Sequence, residues 1–436
     1  MIPIMNSALR VPGVSDKFFY YACSNHGLTM DFKIEIHFKE PVDFEKLRGA
    51  FATALDRFPE FAFRPVIKDE KFFYEENHEP VTIHDDVLER LDFGTEDTNG
   101  YLFYIIRTES DPCLAIFSFY HGLSDWAGTM RFLRTICAVY TGVRTTEGGA
   151  RICAPAPEVW NTAENLDPYS VFEDKDCVPS YVPDTAGFFQ LPIQLYAPGT
   201  EKGHVFRITM RVSEFLKKTR ELHTSFMPYF ISIAAGVIHD LYDIGDRNFV
   251  MSLPVDLRPM FKTDCVSNFS DAVLLPLSRG DLALPIEEQC KKLRASIEVQ
   301  RKPENYARKL YEKAQAVRDF EKDDRGVVAV NQELTQGGFR AFASYITTYL
   351  GIMDMPAEVN EKIEHIFVNA PFGASYFQLT TFGDVLTVTS CQCYDEDTVA
   401  RALCDKFVEL GFTASLEDKG FVTQSTLDVS KLKRMA

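Results

Sequence analysis

Residues 114–140 read LAIFSFYHGLSDWAGTMRFLRTICAVY, and the pattern changes halfway along. Leu114 to Tyr120 is an apolar and aromatic run of strand length, and Gly122 interrupts it. From Ser124 and Asp125 onward the apolar residues fall at three- and four-residue steps. Either residue supplies an oxygen that can accept from the exposed N–H groups of a first helical turn. The stretch predicts a strand, a turn and a helix, with His121 at the mouth of the strand. A side chain there is braced by two rigid elements, a common setting for binding and chemistry.

On the N-terminal side, Phe32, Ile34, Ile36 and Phe38 alternate with Lys33, Glu35, His37 and Lys39, the period of a half-buried strand. Pro41 ends it. Asp43 then caps a helix whose apolar face is Phe44, Leu47, Phe51, Leu55 and Phe58, closed by Pro59. Shorter strands are expected over 61–67, 71–74 and 101–107. On the C-terminal side, residues 154–199 hold seven prolines, which deny long helices and predict an irregular crossover. Its length predicts that it packs on something, because structureless loops this long are uncommon in compact proteins.

Beyond the crossover the texture is again mixed. Strand 204–212, a helix capped by Ser213 as far as Leu222, a buried helix over 228–242 and strand 249–255 are expected. A charged helical stretch over 286–319 breaks at Pro303, and 327–335 has no clear period. Strands over 343–351, 363–369, 376–381 and 385–393 precede a last helix over 397–410. The fold class is α/β, of the mixed α+β kind. Two domains, 1–153 and 200–436, are expected, each a mixed sheet flanked by helices and joined by the 154–199 crossover.

Composition narrows the partners. A net charge of −17 opposes nucleic acid and anionic membranes at long range, so neither is an expected partner. No segment has 18 uncharged apolar residues, so no membrane span is expected, and the N-terminus lacks the pattern of a secretion signal. A cytoplasmic location follows as the expectation. The ten cysteines form no CxxC pair, which leaves no metal-knuckle spacing and suggests reduced thiols. The 36 phenylalanines belong either to broad cores or to an apolar channel.

His121 and Asp125 have HxxxD spacing, but so do His239 and Asp243. The second pair closes an apolar helix, where both residue types are ordinary terminal polar groups. His121 instead follows a strand and precedes a turn and a helix start. An imidazole there can take a proton from a hydroxyl or an amine and return it to a leaving group. Asp125 suits a structural role, as a cap or as the partner of a distant cation. No Walker loop, GxGxxG or nucleophile elbow occurs.

Several segments together resemble the superfamily of chloramphenicol acetyltransferase, condensation domains of nonribosomal peptide synthetases, BAHD acyltransferases and bacterial alcohol acetyltransferases. They are the Tyr120–Gly128 motif, the following Thr129–Leu133, Pro254–Arg258 (PVDLR), Val266–Phe269, Thr348–Gly351 and the first helix ending at Pro59. The order matches across about 50 to 410. Tyr120 stands where some members have a first histidine, and Trp126 stands where the motif has glycine. Pro371–Ser375 matches the family's DFGWG poorly, which favours condensation-like or alcohol acetyltransferase relatives over plant-type BAHD enzymes.

The resemblance implies an acyltransferase with a channel between two halves, His121 as general base and an Asp125–Arg258 pair holding the site. It implies acyl-CoA as co-substrate, no tightly bound cofactor, no metal, and a small-molecule hydroxyl or amine acceptor. Ser375, Asn268 and Tyr349 are candidate oxyanion donors, and Trp126 and Tyr120 candidate pocket residues. Two other readings stay open: a condensation-like enzyme whose acyl donor rides on an acyl carrier protein, and a binding module on the same fold.

Overall fold

The computed structural model describes residues 9–22, 30–87, 89–143, 167–172, 183–191, 202–336, 343–353, 355–370, 375–392, 394 and 396–435. In the first half the strands are β1 (Asp31–Phe38), β2 (Phe63–Lys68), β3 (Lys71–Glu76), β4 (Ile83–Asp85), β5 (Phe103–Arg107) and β6 (Leu114–Tyr120). The second half supplies β7 (Lys202–Arg211), β8 (Phe249–Asp256), β9 (Ser270–Leu277), β10 (Tyr345–Ile352), β11 (Ile363–Asn369), β12 (Tyr376–Phe382), β13 (Val385–Gln392), β14 (Ser415–Thr423) and β15 (Lys433–Arg434). Helices α1 (Val14–Ala22), α2 (Phe44–Arg57) and α3 (Trp126–Thr141) pack on the first half. Among the described residues no helix is long and apolar enough to cross a membrane.

The strands form a five-stranded sheet ordered β11-β1-β6-β5-β4, a seven-stranded sheet ordered β14-β7-β13-β12-β10-β8-β9, and a small sheet ordered β15-β2-β3. The alternation in β1 and the Asp43 cap form as the sequence implies, with the Asp43 carboxylate accepting from the Lys46 N–H at 3.0 Å. Phenylalanine goes mostly into core. Phe51, Phe61, Phe103, Phe117 and Phe132 interlock between α2, α3 and the first sheet, and Phe61 stacks on Phe132 at 4.2 Å. Such ring pairs add directional preference to the area they bury.

β1 departs from the half-buried expectation, because its polar face is buried as well. Lys33 pairs with Asp31, whose carboxylate also accepts from Ser118 Oγ and the Ser425 N–H. Glu35 accepts from Arg207 Nη2 of β7 and from Asn369 Nδ2 of β11, both at 2.8 Å. Period two identifies a strand's two faces but is silent on whether a second layer covers the polar one. Here the second half does. Its strand β11 pairs antiparallel with β1, and Leu427, Val429 and Leu432 complete the first core.

Three local expectations change. The helix after β7 starts at Val212 with no side-chain cap, and Ser213 instead donates from both N–H and Oγ to Asp384 at 2.9 Å. Residues 327–336 are helical, and Asn331 Nδ2 donates to the Tyr20 and Tyr21 carbonyls, which fixes the end of α1. Most of the 154–199 crossover and most of Pro371–Ser375 lie outside the described residues. Of the crossover, Tyr169, Phe172, Phe189 and Leu191 are described, and all four are buried in the second core.

Candidate active site

The strand-turn-helix of residues 114–141 forms as read, with β6 running into a turn and Asp125 capping α3. Asp125 Oδ1 accepts from the Gly128 N–H at 3.1 Å, the usual reach of an N-cap carboxylate. Its Oδ2 accepts from Arg258 Nη1 and from the Phe269 N–H, each at 2.8 Å. Arg258 spends its remaining donors on the Cys265 and Ser267 carbonyls, both at 2.6 Å, and on Asp256 at 2.9 Å. Asp125 is 4% exposed and Arg258 8%, so this ion pair is out of water with its polar atoms engaged. That condition decides whether a buried pair is tolerated.

The same corner clamps α3 to the 265–269 loop. Ser124 Oγ donates to the Val266 carbonyl at 2.6 Å, and a Cβ on Gly128 would lie 2.1 Å from that oxygen. The backbone of α3 can therefore approach the loop this closely only with glycine at 128.

His121 stands partly buried at the strand mouth. Phe19 of α1 stacks on its ring at 5.4 Å and Phe32 of β1 meets it edge-on at 5.5 Å. Asn268 Nδ2 donates to the His121 carbonyl at 2.9 Å and lies 2.9 Å from Nδ1. Burial pushes the imidazole below its ordinary 6.5; Lys313 pushes the same way, while its bond to its own carbonyl and the Asp125 charge pull it back only in part. The shift favours the neutral ring, the state a proton acceptor needs. Lys313, on the helix Pro303–Glu321, lies over the rings of Phe18 at 4.5 Å and Phe19 at 5.9 Å, behind the histidine.

His121 faces a cavity of about 570 Å³, walled by elements of both halves. One wall is Pro254, Val255 and Asp256 of β8; the facing wall is Thr348, Tyr349, Leu350 and Ile352 of β10. These parallel strands pair only through Tyr345–Met251 and Ile346–Ser252, and past that point they part. The cavity occupies the opening.

The remaining predicted residues divide. Trp126 and Tyr349 line the cavity, and the Tyr349 ring stacks on Phe226 at 4.5 Å. Asn268 is buried behind His121 and serves the histidine rather than the cavity. Tyr120 is fully buried and donates to the Phe19 carbonyl at 3.2 Å, away from the cavity. Ser375 is 3% exposed and sits one residue before Tyr376, which does line the cavity. Phe19, Phe32 and Gln378 line it without having been singled out in the sequence. Of these, Phe32 alone had a signal, as an inward position of β1 beside the motif strand.

Two sheets carrying helices, with a cavity between them and a histidine at its wall, form the mixed α/β architecture that the sequence resemblance implied. Solved structures agree over nearly the whole chain. Polyketide synthase associated protein 5 from Mycobacterium tuberculosis superimposes with a TM-score of 0.59 at 14% identity, covering 94% of this chain and 99% of that one. F. graminearum TRI101, in a structure complexed with coenzyme A and deoxynivalenol, gives 0.61 at 11% identity over 93% and 99%. The condensation domain of the monacolin K polyketide synthase MokA gives 0.55 at 12% over 92% and 96%. No family model and no curated protein sequence matches the chain.

Proposed function

We propose that this chain is an acyltransferase that moves an acyl group from a coenzyme A thioester to a small hydroxyl or amine acceptor, with His121 as general base. The observation that carries the reading is the hydrogen bond from Asn268 Nδ2 to the His121 carbonyl, which holds the histidine at the wall of the inter-sheet cavity. With Nδ1 held inside the protein, Nε2 is the nitrogen assigned to the reaction. In the base form the ring proton resides on Nδ1, where the residue's own carbonyl accepts it.

Nε2 takes the proton as the acceptor oxygen or nitrogen bonds to the thioester carbonyl carbon. Collapse of the tetrahedral adduct breaks the C–S bond, and the proton on Nε2 goes to the departing thiolate. Direct transfer needs positioning, a base and oxyanion stabilisation rather than a covalent enzyme intermediate. Asp125 and Arg258 hold the strand-turn-helix against the 265–269 loop and take no proton. The CoA-bound neighbour TRI101 supports coenzyme A as the donor's carrier, and acyl-CoA is a co-substrate in this reading rather than a resident cofactor. The MokA neighbour keeps a carrier-protein thioester as the comparison donor.

The test is thiol release from a matrix of acyl-CoA donors against alcohol and amine acceptors. Turnover with free acyl-CoA is the expected result. Release only from carrier-bound thioesters would reassign the donor, and no release from either would overturn the reading.

A further inference from the structure

Trp126 is the first residue of α3, beside Asp125, and lines the same cavity as His121. Its indole Nε1 donates to the Leu350 carbonyl at 2.7 Å, bridging 224 residues from the first half to the second. That carbonyl has a local cause for being available. Between Tyr349 and Gly351 the β10–β12 register slips by one, so Leu350 is a bulge residue, followed by Gly351 at φ 85°. A bulge drops one residue out of the ladder and re-aims its groups, a device that recurs beside active sites. The bond pins the ring on the wall of the cleft that opens between β8 and β10.

The cavity that the indole lines has both polar residues, among them Arg134, Asp271 and Gln378, and hydrocarbon ones. The hydrocarbon part of the lining, its apolar arm, comprises Ala127 and Met130 of α3 with Leu350, Ile352 and Val368. Ile352 is 66% exposed, which makes it the arm's contact with solvent. An apolar stretch of wall takes an apolar chain, since moving methylenes out of water there is favourable if space exists. The indole stands on the wall of that cavity, held by its bond to Leu350. A rigid ring fixed there rejects longer chains by clash.

We propose that Trp126, pinned by Leu350, is a bar that limits this site to short hydrocarbon chains, and that its removal opens the apolar arm to longer ones. The inference rests on the acyl-transfer reading for the identity of the substrate but not for the position of the bar. The chain is either the acyl group of the thioester or the alkyl part of the acceptor; both present the same hydrocarbon to the arm.

The experiment compares wild type, Trp126→Ala and Trp126→Phe across straight acyl-CoA donors from acetyl to dodecanoyl with one acceptor, then across straight alcohols with acetyl-CoA. In Trp126→Ala, kcat/KM for an eight-carbon chain relative to a two-carbon chain should rise about tenfold or more on one of the two ladders. Trp126→Phe keeps an aromatic ring, smaller and without the hydrogen bond, and should shift the ratio less. A ladder that moves identifies the substrate that lies along the arm.

Binding gives a second readout that needs no turnover. In the His121→Ala background, calorimetric titration with alkyl-CoA thioethers and with straight alcohols should show weaker binding with chain length when Trp126 is present. Trp126→Ala should reverse that trend on one series. Unchanged chain-length profiles in folded Trp126→Ala, by both turnover and binding, would overturn the proposal. Absence of turnover in wild type with a reversed binding trend would instead overturn the acyl-transfer reading and leave the bar supported. If Trp126→Ala does not fold, the same titrations on Trp126→Phe and Trp126→Leu decide it, with unchanged profiles in both counting against the bar.

Discussion

The chain holds two copies of HxxxD, and their fates differ. Asp125 is 4% exposed and receives a helix N–H, a loop N–H and a guanidinium from three segments. Asp243 is exposed and accepts from Gly245, two residues on, at 2.9 Å. His121 is bracketed by two aromatic rings and an asparagine from other elements, whereas His239 has Asp240, its neighbour in sequence, at 3.5 Å. Spacing is the same; long-range partners make the difference. A motif acquires meaning from what the rest of the chain brings to it.

The contrast can be broken first at the histidines. His121→Ala should lower acyl transfer by about a hundred- to ten-thousand-fold while the protein stays folded. His239→Ala should leave the rate unchanged in the same thiol-release assay. Equal losses in the two variants would erase the distinction.

Next come the aspartates. Asp125→Ala or Arg258→Ala strands a buried charge and should cost about 3–5 kcal/mol in denaturant unfolding. The double variant should lose far less than the sum, as a directly coupled pair requires. Asp243→Ala should stay within about 0.5 kcal/mol.

The pH dependence sharpens the histidine further. Because burial lowers the His121 pKa, the acid limb of kcat/KM should have its midpoint below that of an ordinary imidazole. Asn268→Asp puts a carboxylate beside Nδ1, which favours the imidazolium and should move that acid limb to higher pH. A merely structural asparagine would lower the rate without moving the limb.

The smallest effect concerns the helix that covers His121. Asp16, buried at the start of α1, is pushed up to about 7, first by burial and then by the nearby Asp167, against the pull of the Gly13 N–H, Tyr74 and Lys17. Its folded pKa lies above the unfolded 3.8, so the folded state binds more protons and stability falls as pH rises from about 4 to 7. Asp16→Asn should remove this slope, so that wild type loses about 2–4 °C more in Tm between pH 5 and 8 than the variant does.

Much of this was legible in the sequence. β6, α3 and the capping role of Asp125 follow from local period and cap chemistry, and Arg258 as its partner followed from a resemblance rather than from spacing. What could not be read depends on which layer covers which face. Lys33 and Glu35 look like solvent positions, yet the second half buries them. Ile363–Asn369 reads as a strand, and nothing local assigns it to the first sheet. Phe19 lies in a short aromatic helix whose sequence carries no clear period, so its place over His121 emerges only from the tertiary fold. Asn268 was read as a candidate oxyanion donor, but its side chain is turned to the histidine.

The pairing of β11 with β1 has a consequence for how the protein is made. Residue 31 leaves the ribosome more than three hundred residues before residue 369, at roughly 5–20 residues per second. For that interval β1 has β6 on one side and a bare edge on the other, with Glu35 lacking both Arg207 and Asn369 until they too are synthesised. An unpaired edge is a template for the wrong partner. The nascent chain therefore carries a bare edge in the sheet whose strand β6 leads to His121, and keeping wrong partners off that edge during translation is a requirement set by the fold itself.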